Sequence, residues 1–275
     1  MPSPSAIWYV YGVVPREFDL ARAPGGLDDT SLELCEAGEV AAIVSRLDGK
    51  EYAPSAVERA TENVEWLAPR AVAHDRVLTW ASDRGPLVPL PIFSLFSGAS
   101  AVQAMLRERR EQLQSALQRA ASGREYALRV YRVDSELTKA ATELSPRLAE
   151  LHDAAMAASP GQRYLLERKL ETERKNALHS IGKRIARDVV DALRPLAIDT
   201  SESRIASRGT RANADAALIL DAAFLVEPHG LDRFQRELTA IVERHQAHGF
   251  RFDFTGPWPL YHFVRDETSR SRDDV

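Results

Sequence analysis

Residues 216–226 read Ala216-Ala217-Leu218-Ile219-Leu220-Asp221-Ala222-Ala223-Phe224-Leu225-Val226. A nearly unbroken apolar run of this length is too short to span a membrane as a helix and reads as a strand buried inside a sheet. Just downstream, Leu231, Phe234, Leu238, Ile241 and His245 recur at helical spacing, and Gly249 stands where that amphipathic helix must stop. Phe250-Arg251-Phe252-Asp253-Phe254 then alternates as a strand does, and Gly256-Pro257-Trp258-Pro259 is expected to break it.

Upstream, Ala197 to Ser203 reads as a modest strand and Arg208 to Asp215 as a polar loop. Before them runs the longest helical pattern, Gln162 to Leu193. Leu166, Leu170, Leu178, Ile181, Ile185, Val189 and Leu193 line one face, and Arg194-Pro195 closes it. Ser135 to Ala158 is also helical, with a break at Ser145-Pro146, and Ser159-Pro160-Gly161 is a stop and restart. Glu125 to Val133 alternates as a strand. From Gly123 onward the order is therefore strand, helix, strand, strand, helix, strand, with one additional helix. That is the split pattern of a modified ferredoxin-like βαββαβ domain, its sheet antiparallel and both helices on one face.

The first half predicts a smaller α/β unit. Its strands are expected near 7–14, 40–47 and 87–93, and its helices near 55–80 and 100–121. Pro69 should kink or split the first helix, and the prolines at 89 and 91 suit an edge strand or extended loop. Ser100 and Gln103 have capping-box spacing, and Gly123 stands at the C-cap of that helix. The predicted fold class is thus α+β with two domains, 1–122 and 123–256, followed by an extended C-terminal segment and tail, 257–275.

Composition supports a globular chain. Of 275 residues, 44% are hydrophobic and 28% charged, enough to build a core without disulfides. The 36 basic and 40 acidic residues give a net charge of -4, which argues against broad nucleic-acid binding. A single cysteine fits a reducing compartment, and the polar start, without a signal-peptide pattern, leads to an expectation of a cytoplasmic protein.

The search for chemistry yields little. No nucleophile elbow, Walker loop or dinucleotide-binding glycine pattern occurs. Cys35 is read as structural, its acidic neighbours Glu33 and Glu36 raising its pKa. His245 and His248 could reach one metal ion from a helix, but no third ligand stands near them. His152-Asp153 and His74-Asp75 are read as surface pairs, because adjacent helical residues do not face each other. The basic residues of the long helix, from Arg163 to Arg187, interleave with Glu167, Glu171, Glu173 and Asp188, the mark of a solvated face. The expectation is no catalytic residue, no cofactor and no metal.

Several stretches together resemble the gas vesicle protein GvpL/GvpF family. They are Trp8-Tyr9-Val10-Tyr11-Gly12-Val13, His74 with Val77-Leu78, Val88-Pro89-Leu90, and Glu125-Tyr126-Ala127-Leu128-Arg129-Val130-Tyr131. The most telling are Ala158-Ser159-Pro160-Gly161-Gln162-Arg163-Tyr164-Leu165-Leu166 and Gly256-Pro257-Trp258-Pro259-Leu260-Tyr261-His262-Phe263-Val264. Two departures stand out. The family usually continues its Pro-Leu segment with Arg and a Phe-Gly pair, where this chain has Pro91-Ile92-Phe93-Ser94, and it usually has Asn where Asp221 stands.

The resemblance implies a non-catalytic accessory protein of gas vesicle formation, cytoplasmic and associated with the vesicles. It would act early in assembly on the small, very hydrophobic shell protein GvpA and alongside other accessory proteins, without nucleic acid or membrane. It also implies two domains, the second a modified ferredoxin-like fold. Trp258, Leu260, Tyr261 and Phe263 are the candidate partner-binding residues, together with the sheet of the second domain. The alternative is an RNA-binding or regulatory ferredoxin-like module.

Overall fold

The computed structural model of the chain describes residues 6–203, 211–213 and 216–263. The chain divides into two compact units, Met1–Glu125 with Pro257–Val275, and Tyr126–Gly256.

The first unit is built on a five-stranded antiparallel sheet. It contains β1 (Ile7–Pro15), β2 (Glu33–Ala37), β3 (Val40–Leu47), β4 (Val88–Pro89) and β5 (Leu95–Phe96). The order is β2-β3-β1-β4, with β5 also pairing β1. β1 takes the central place because it is apolar on both faces. A bulge between Val10 and Gly12 shifts the alternation by one residue. Tyr9, Tyr11 and Val14 therefore point into one core, while Val10 and Val13 point into the other. α1 (Pro54–Ala60) and α2 (Val64–Ser82) contribute Val57, Val77 and Leu78 to the tyrosine side; α3 (Ala99–Glu108) and α4 (Arg110–Ser122) contribute Val102, Leu106 and Leu113 to the valine side.

Several local expectations are corrected here. β2 went unread, yet Gly38, at φ 67, turns β2 back onto β3. The expected strand at 87–93 shrinks to two residues each in β4 and β5, because prolines at 89 and 91 withhold ladder donors. The helix expected at 55–80 breaks at 61–63, before Pro69, where Asn63 caps α2 by accepting from the Glu65 N–H. Pro69 sits close to the start of α2 and is accommodated within it. The Ser100–Gln103 box does not form: Gly98 is the N-cap of α3, and the Gln103 amide donates to the Glu36 carbonyl instead. Arg109 interrupts the helix expected at 100–121. Gly123 is the C-cap of α4, in an extended conformation.

The second unit has its own antiparallel sheet, of β6 (Arg124–Val133), β7 (Asp199–Glu202), β8 (Arg211–Asn213), β9 (Ala216–Val226) and β10 (Phe250–Trp258). The order is β10-β6-β9-β7, with β8 pairing the start of β9. The helices are α5 (Asp134–Leu144), α6 (Pro146–Ala157), α7 (Pro160–Leu193) and α8 (Leu231–His245). One core gathers Leu128 and Val130 of β6, Leu220, Ala222 and Phe224 of β9, and Phe250 of β10. Against them pack Ile181, Ile185 and Val189 of α7 with Phe234, Leu238 and Ile241 of α8. β8 occupies part of the stretch read as a polar loop, the rest of which lies outside the described residues. Gly256-Pro257 does not end β10, which continues to Trp258.

Candidate functional site

The first unit concentrates polar chemistry in its interior. The Tyr9 hydroxyl accepts from the Phe93 N–H at 3.4 Å, so its own proton goes to His74 Nδ1, 2.6 Å away. The other side of the His74 ring bonds the Leu90 backbone, which fixes the neutral tautomer with the proton on Nε2. Burial holds the His74 pKa down at about 4, against the weaker upward pull of that backbone bond. His74, expected at the surface beside Asp75, is instead 6% exposed. Local spacing could not reveal this, because its partners come from β1 and from the segment before β5.

Tyr11 organises a second chain. Its oxygen lies 2.9 Å from the Ser45 hydroxyl and accepts from the Leu27 N–H at 2.7 Å. Two glycines make room. A Cβ on Gly12 would stand 2.8 Å from both Leu87 Cδ1 and the Val88 carbonyl, and one on Gly26 would collide with the Tyr11 hydroxyl. Nearby, Arg70 lies over the Trp66 ring, 4.2 Å from its centre, and beside the Tyr52 ring. It donates to the Tyr52 hydroxyl and pairs with Asp28 and Glu51. Tyr52 in turn donates to Asp28, and burial raises its pKa.

The third polar knot fastens the C-terminal segment. Glu125, 1% exposed, accepts from the His262 N–H at 3.0 Å and lies 2.6 Å from His262 Nδ1. The Arg119 guanidinium adds a bond to the Phe263 carbonyl. Of the four residues expected to contact a partner, Leu260 and Phe263 are buried at 3% and 6%, while Trp258 and Tyr261 remain 39% and 38% exposed. Burial, with the Asp75 and Glu125 carboxylates, pushes Tyr261 up to about 12.

The second unit's distinctive surface lies at the α6–α7 corner. Ser159 and Gln162 bond across the start of α7, and Arg163 reaches back to the carbonyls of Ala155, Met156 and Ala158. That arrangement closes the end of α6 and leaves Met156, Tyr164 and Leu165 at 65%, 60% and 67% exposure. The sequence reading singled out this stretch but not its exposure; the apolar pair Tyr164-Leu165 sitting just outside the buried stripe of α7 was the available signal.

The other residues singled out from sequence take quieter places. Cys35 is buried and free, with its pKa raised by burial rather than by its acidic neighbours. His245 and His248 are half-buried with unpartnered Nδ1 atoms. Among the described residues no group of three or more His, Cys, Asp or Glu could hold a metal ion. Nor is any helix there long and apolar enough to cross a membrane.

These features define a mixed α/β protein with two antiparallel sheets, whose buried polar groups tie distant segments of chain together. The family of gas vesicle synthesis protein GvpL/GvpF matches residues 7–265, and the chain belongs to it. Its role accordingly lies in gas vesicle formation. Gas vesicle protein L of a Streptomyces species is 26% identical over 272 residues, covering 95% of this chain and 94% of its own. Gas vesicle protein L1 of Halobacterium salinarum is 23% identical over 245 residues, covering 88% and 83%. In fold, the chain is similar to the crystal structure of GvpF from an Anabaena species, with a TM-score of 0.66 at 19% identity over 95% of this chain and 97% of that one. GvpF from Microcystis aeruginosa gives the same score at 17% identity, covering 95% of this chain and all of its own.

Within the first unit, several of the stretches that carry the family resemblance meet in space. Tyr9, His74 and Leu90 form one hydrogen-bonded chain, and Glu125 grips His262. The two departures are also placed. Asp221 pairs with Arg129 across β9 and β6 at 3.4 Å, a charge pair that Asn would not make. Phe93, within the segment where the chain departs from the family's pattern, has a left-handed φ of 63, a conformation that favours glycine.

Proposed function

We propose that this chain acts early in gas vesicle assembly by holding the hydrophobic shell protein GvpA on apolar side chains that its own folding leaves in water. The observation that carries the proposal is where those side chains fall. Tyr164 and Leu165 in the second unit, and Trp258 and Tyr261 in the first, lie in the two stretches that most strongly mark the family. Apolar residues that stay exposed on the folded surface are candidates for contact with a greasy partner. Leu260 and Phe263 serve in this reading as internal anchors that position Trp258 and Tyr261. The work is binding, without catalysis, in the cytoplasm where vesicles form. The strand order of the second unit, with α7 and α8 packed on one core, supports reading it as a ferredoxin-like domain carrying α5 and α6 as an insertion.

The test is co-purification of GvpA with the full chain. A Tyr164→Ser/Leu165→Ser variant and a Trp258→Ser/Tyr261→Ser variant are compared with the parent, after each is shown to unfold at the parent's temperature. Recovery of GvpA should fall about tenfold or more for at least one, the loss expected when an aromatic anchor leaves an interface. Undiminished recovery by both variants overturns the proposal. Truncation before Gly256 is the weaker experiment, since it also strips His262 from the buried Glu125.

A further inference from the structure

β10 is the outermost strand of the second sheet, and among the described residues no strand pairs its outer edge. The direction of its backbone groups follows from one bond. The Gly249 carbonyl accepts from Val133 N–H of β6 at 2.8 Å. A trans peptide aims its C=O and the next N–H in opposite directions, so the Phe250 N–H faces away from β6. By alternation, the N–H and C=O groups of Phe250, Phe252 and Phe254 form the open edge. The side chains sort the other way: the three phenylalanines pack into the core, while Arg251 and Asp253 are exposed on the opposite face.

Phe250-Arg251-Phe252-Asp253-Phe254 reads as its own complement when reversed. Laid antiparallel on a second copy about an axis through Phe252, Phe faces Phe, Arg251 faces Asp253, and Asp253 faces Arg251. The backbone fits this register. Phe252, with outward N–H and C=O, forms the hydrogen-bonded pair at the axis. Arg251 and Asp253 then fall in non-hydrogen-bonded pairs, where facing side chains approach most closely. Registers centred on Phe250 or Phe254 leave both charges unmatched. Residues 250–254 contain no proline and no charge on the core-facing side, two devices that commonly blunt an edge. Arg251 meanwhile holds Glu136 at 2.8 Å with 65% of its side chain exposed, a surface pair weak enough to exchange.

We propose that β10 of one copy pairs with β10 of a second copy, antiparallel about a two-fold axis through Phe252, joining two sheets into one. This inference is independent of the shell-protein reading, although a dimer would present each binding patch twice and so raise avidity for a shell of repeated subunits.

The experiment is sedimentation or light scattering of the full chain across a concentration series. The parent should dimerise. Asp253→Arg, which leaves the Arg251–Glu136 pair untouched, places like charges opposite each other at two symmetric positions and should weaken dimerisation about tenfold or more. Arg251→Asp should do the same. The swapped double variant Arg251→Asp/Asp253→Arg should recover the parent's association, and the two single variants mixed together should form a heterodimer. A parent that is monomeric throughout, a dimer that survives both single changes, or a double variant that stays monomeric each overturns the proposal.

Discussion

Among the largest fully buried side chains of the first unit are Tyr9, Tyr11 and Tyr52; among those of the second are Phe224, Phe234 and Phe250. Both sets are aromatic, and both lie against an antiparallel sheet. The hydroxyls make the difference. In the second unit the rings need only fit: Phe234 meets Phe224 edge-on at 5.2 Å and stacks with Phe254 at 5.8 Å. In the first, every hydroxyl must find a partner, so each buried ring also selects the segment beside it. Tyr9 selects His74, Tyr11 selects Ser45 and the Leu27 N–H, and Tyr52 selects Asp28 and Arg70. One unit is specified by shape, the other by shape and by bonds. The first should therefore be sensitive to pH and to single atoms, the second to volume.

The largest expected effect tests the volume side. Phe234→Ala should cost about 3–5 kcal/mol of the second unit's stability through lost burial and the cavity left behind. The cost should be the same at neutral and mildly acid pH. Amide exchange in β9, read at both pH values, measures it; a strong pH dependence would break the contrast.

The next effect belongs to His74. Its folded pKa of about 4 lies below the unfolded value of 6.5. Between those values the unfolded chain takes up a proton that the folded chain refuses. Stability is therefore complete above pH 6.5 and is lost as pH falls toward 4, by about 3 kcal/mol in all. The protection of β1 amides, taken relative to the intrinsic exchange rate at each pH, should fall over that window in the parent, and this pH dependence should vanish in His74→Gln. Equal protection of the parent's β1 at both ends of the window would remove His74 from the account.

The same contrast explains what the sequence could and could not reveal. β9 and α8 occupy the bounds that their apolar spacing predicts, and α7 differs from its expected start by two residues. A core specified by shape writes itself into local periodicity. β2 was missed because Glu33-Leu34-Cys35-Glu36-Ala37 mixes charge with small side chains, and only its pairing with β3 makes it a strand. The polar knots were invisible for a related reason. Tyr9 and His74 are 65 positions apart, and Glu125 and His262 are 137 apart. No window of sequence contains both halves. The family resemblance drew attention to all four residues without saying that they touch, and it could not show that two of the four proposed contact residues, Leu260 and Phe263, face inward.

Glu125→Gln tests the C-terminal knot. The substitution keeps the shape and removes the charge, so the bonds to the His262 N–H and ring become ordinary ones. A charge-assisted bond is stronger than a neutral one by about 1 kcal/mol. The exchange of the His262 amide should accelerate by a few-fold to tenfold, with β9 unaffected. Unchanged exchange at His262 would mean that Leu260 and Phe263 hold the segment by themselves.

Phe93 gives the smallest effect and the sharpest sign. Its φ of 63 is a conformation that costs a non-glycine residue about 1–2 kcal/mol. Its ring is half-buried, stacked on Trp66 at 5.4 Å and edge-on to Tyr9 at 6.4 Å, and that contact offsets the strain. Phe93→Gly loses the ring but also the strain, so its net change should stay within about 1 kcal/mol. Phe93→Ala loses the ring and keeps the strain, so it should be less stable than the glycine variant by about 1 kcal/mol. At an ordinary loop position alanine is the more stabilising of the two, because it restricts the unfolded chain. A glycine variant that outlasts the alanine variant in urea would therefore show the backbone at 93 to be held left-handed by the Phe93 N–H bond to Tyr9, with the phenylalanine ring offsetting strain that a glycine would avoid. The reverse order would show that the loop relaxes once the ring is gone, and that the bond to Tyr9 is too weak to set its conformation.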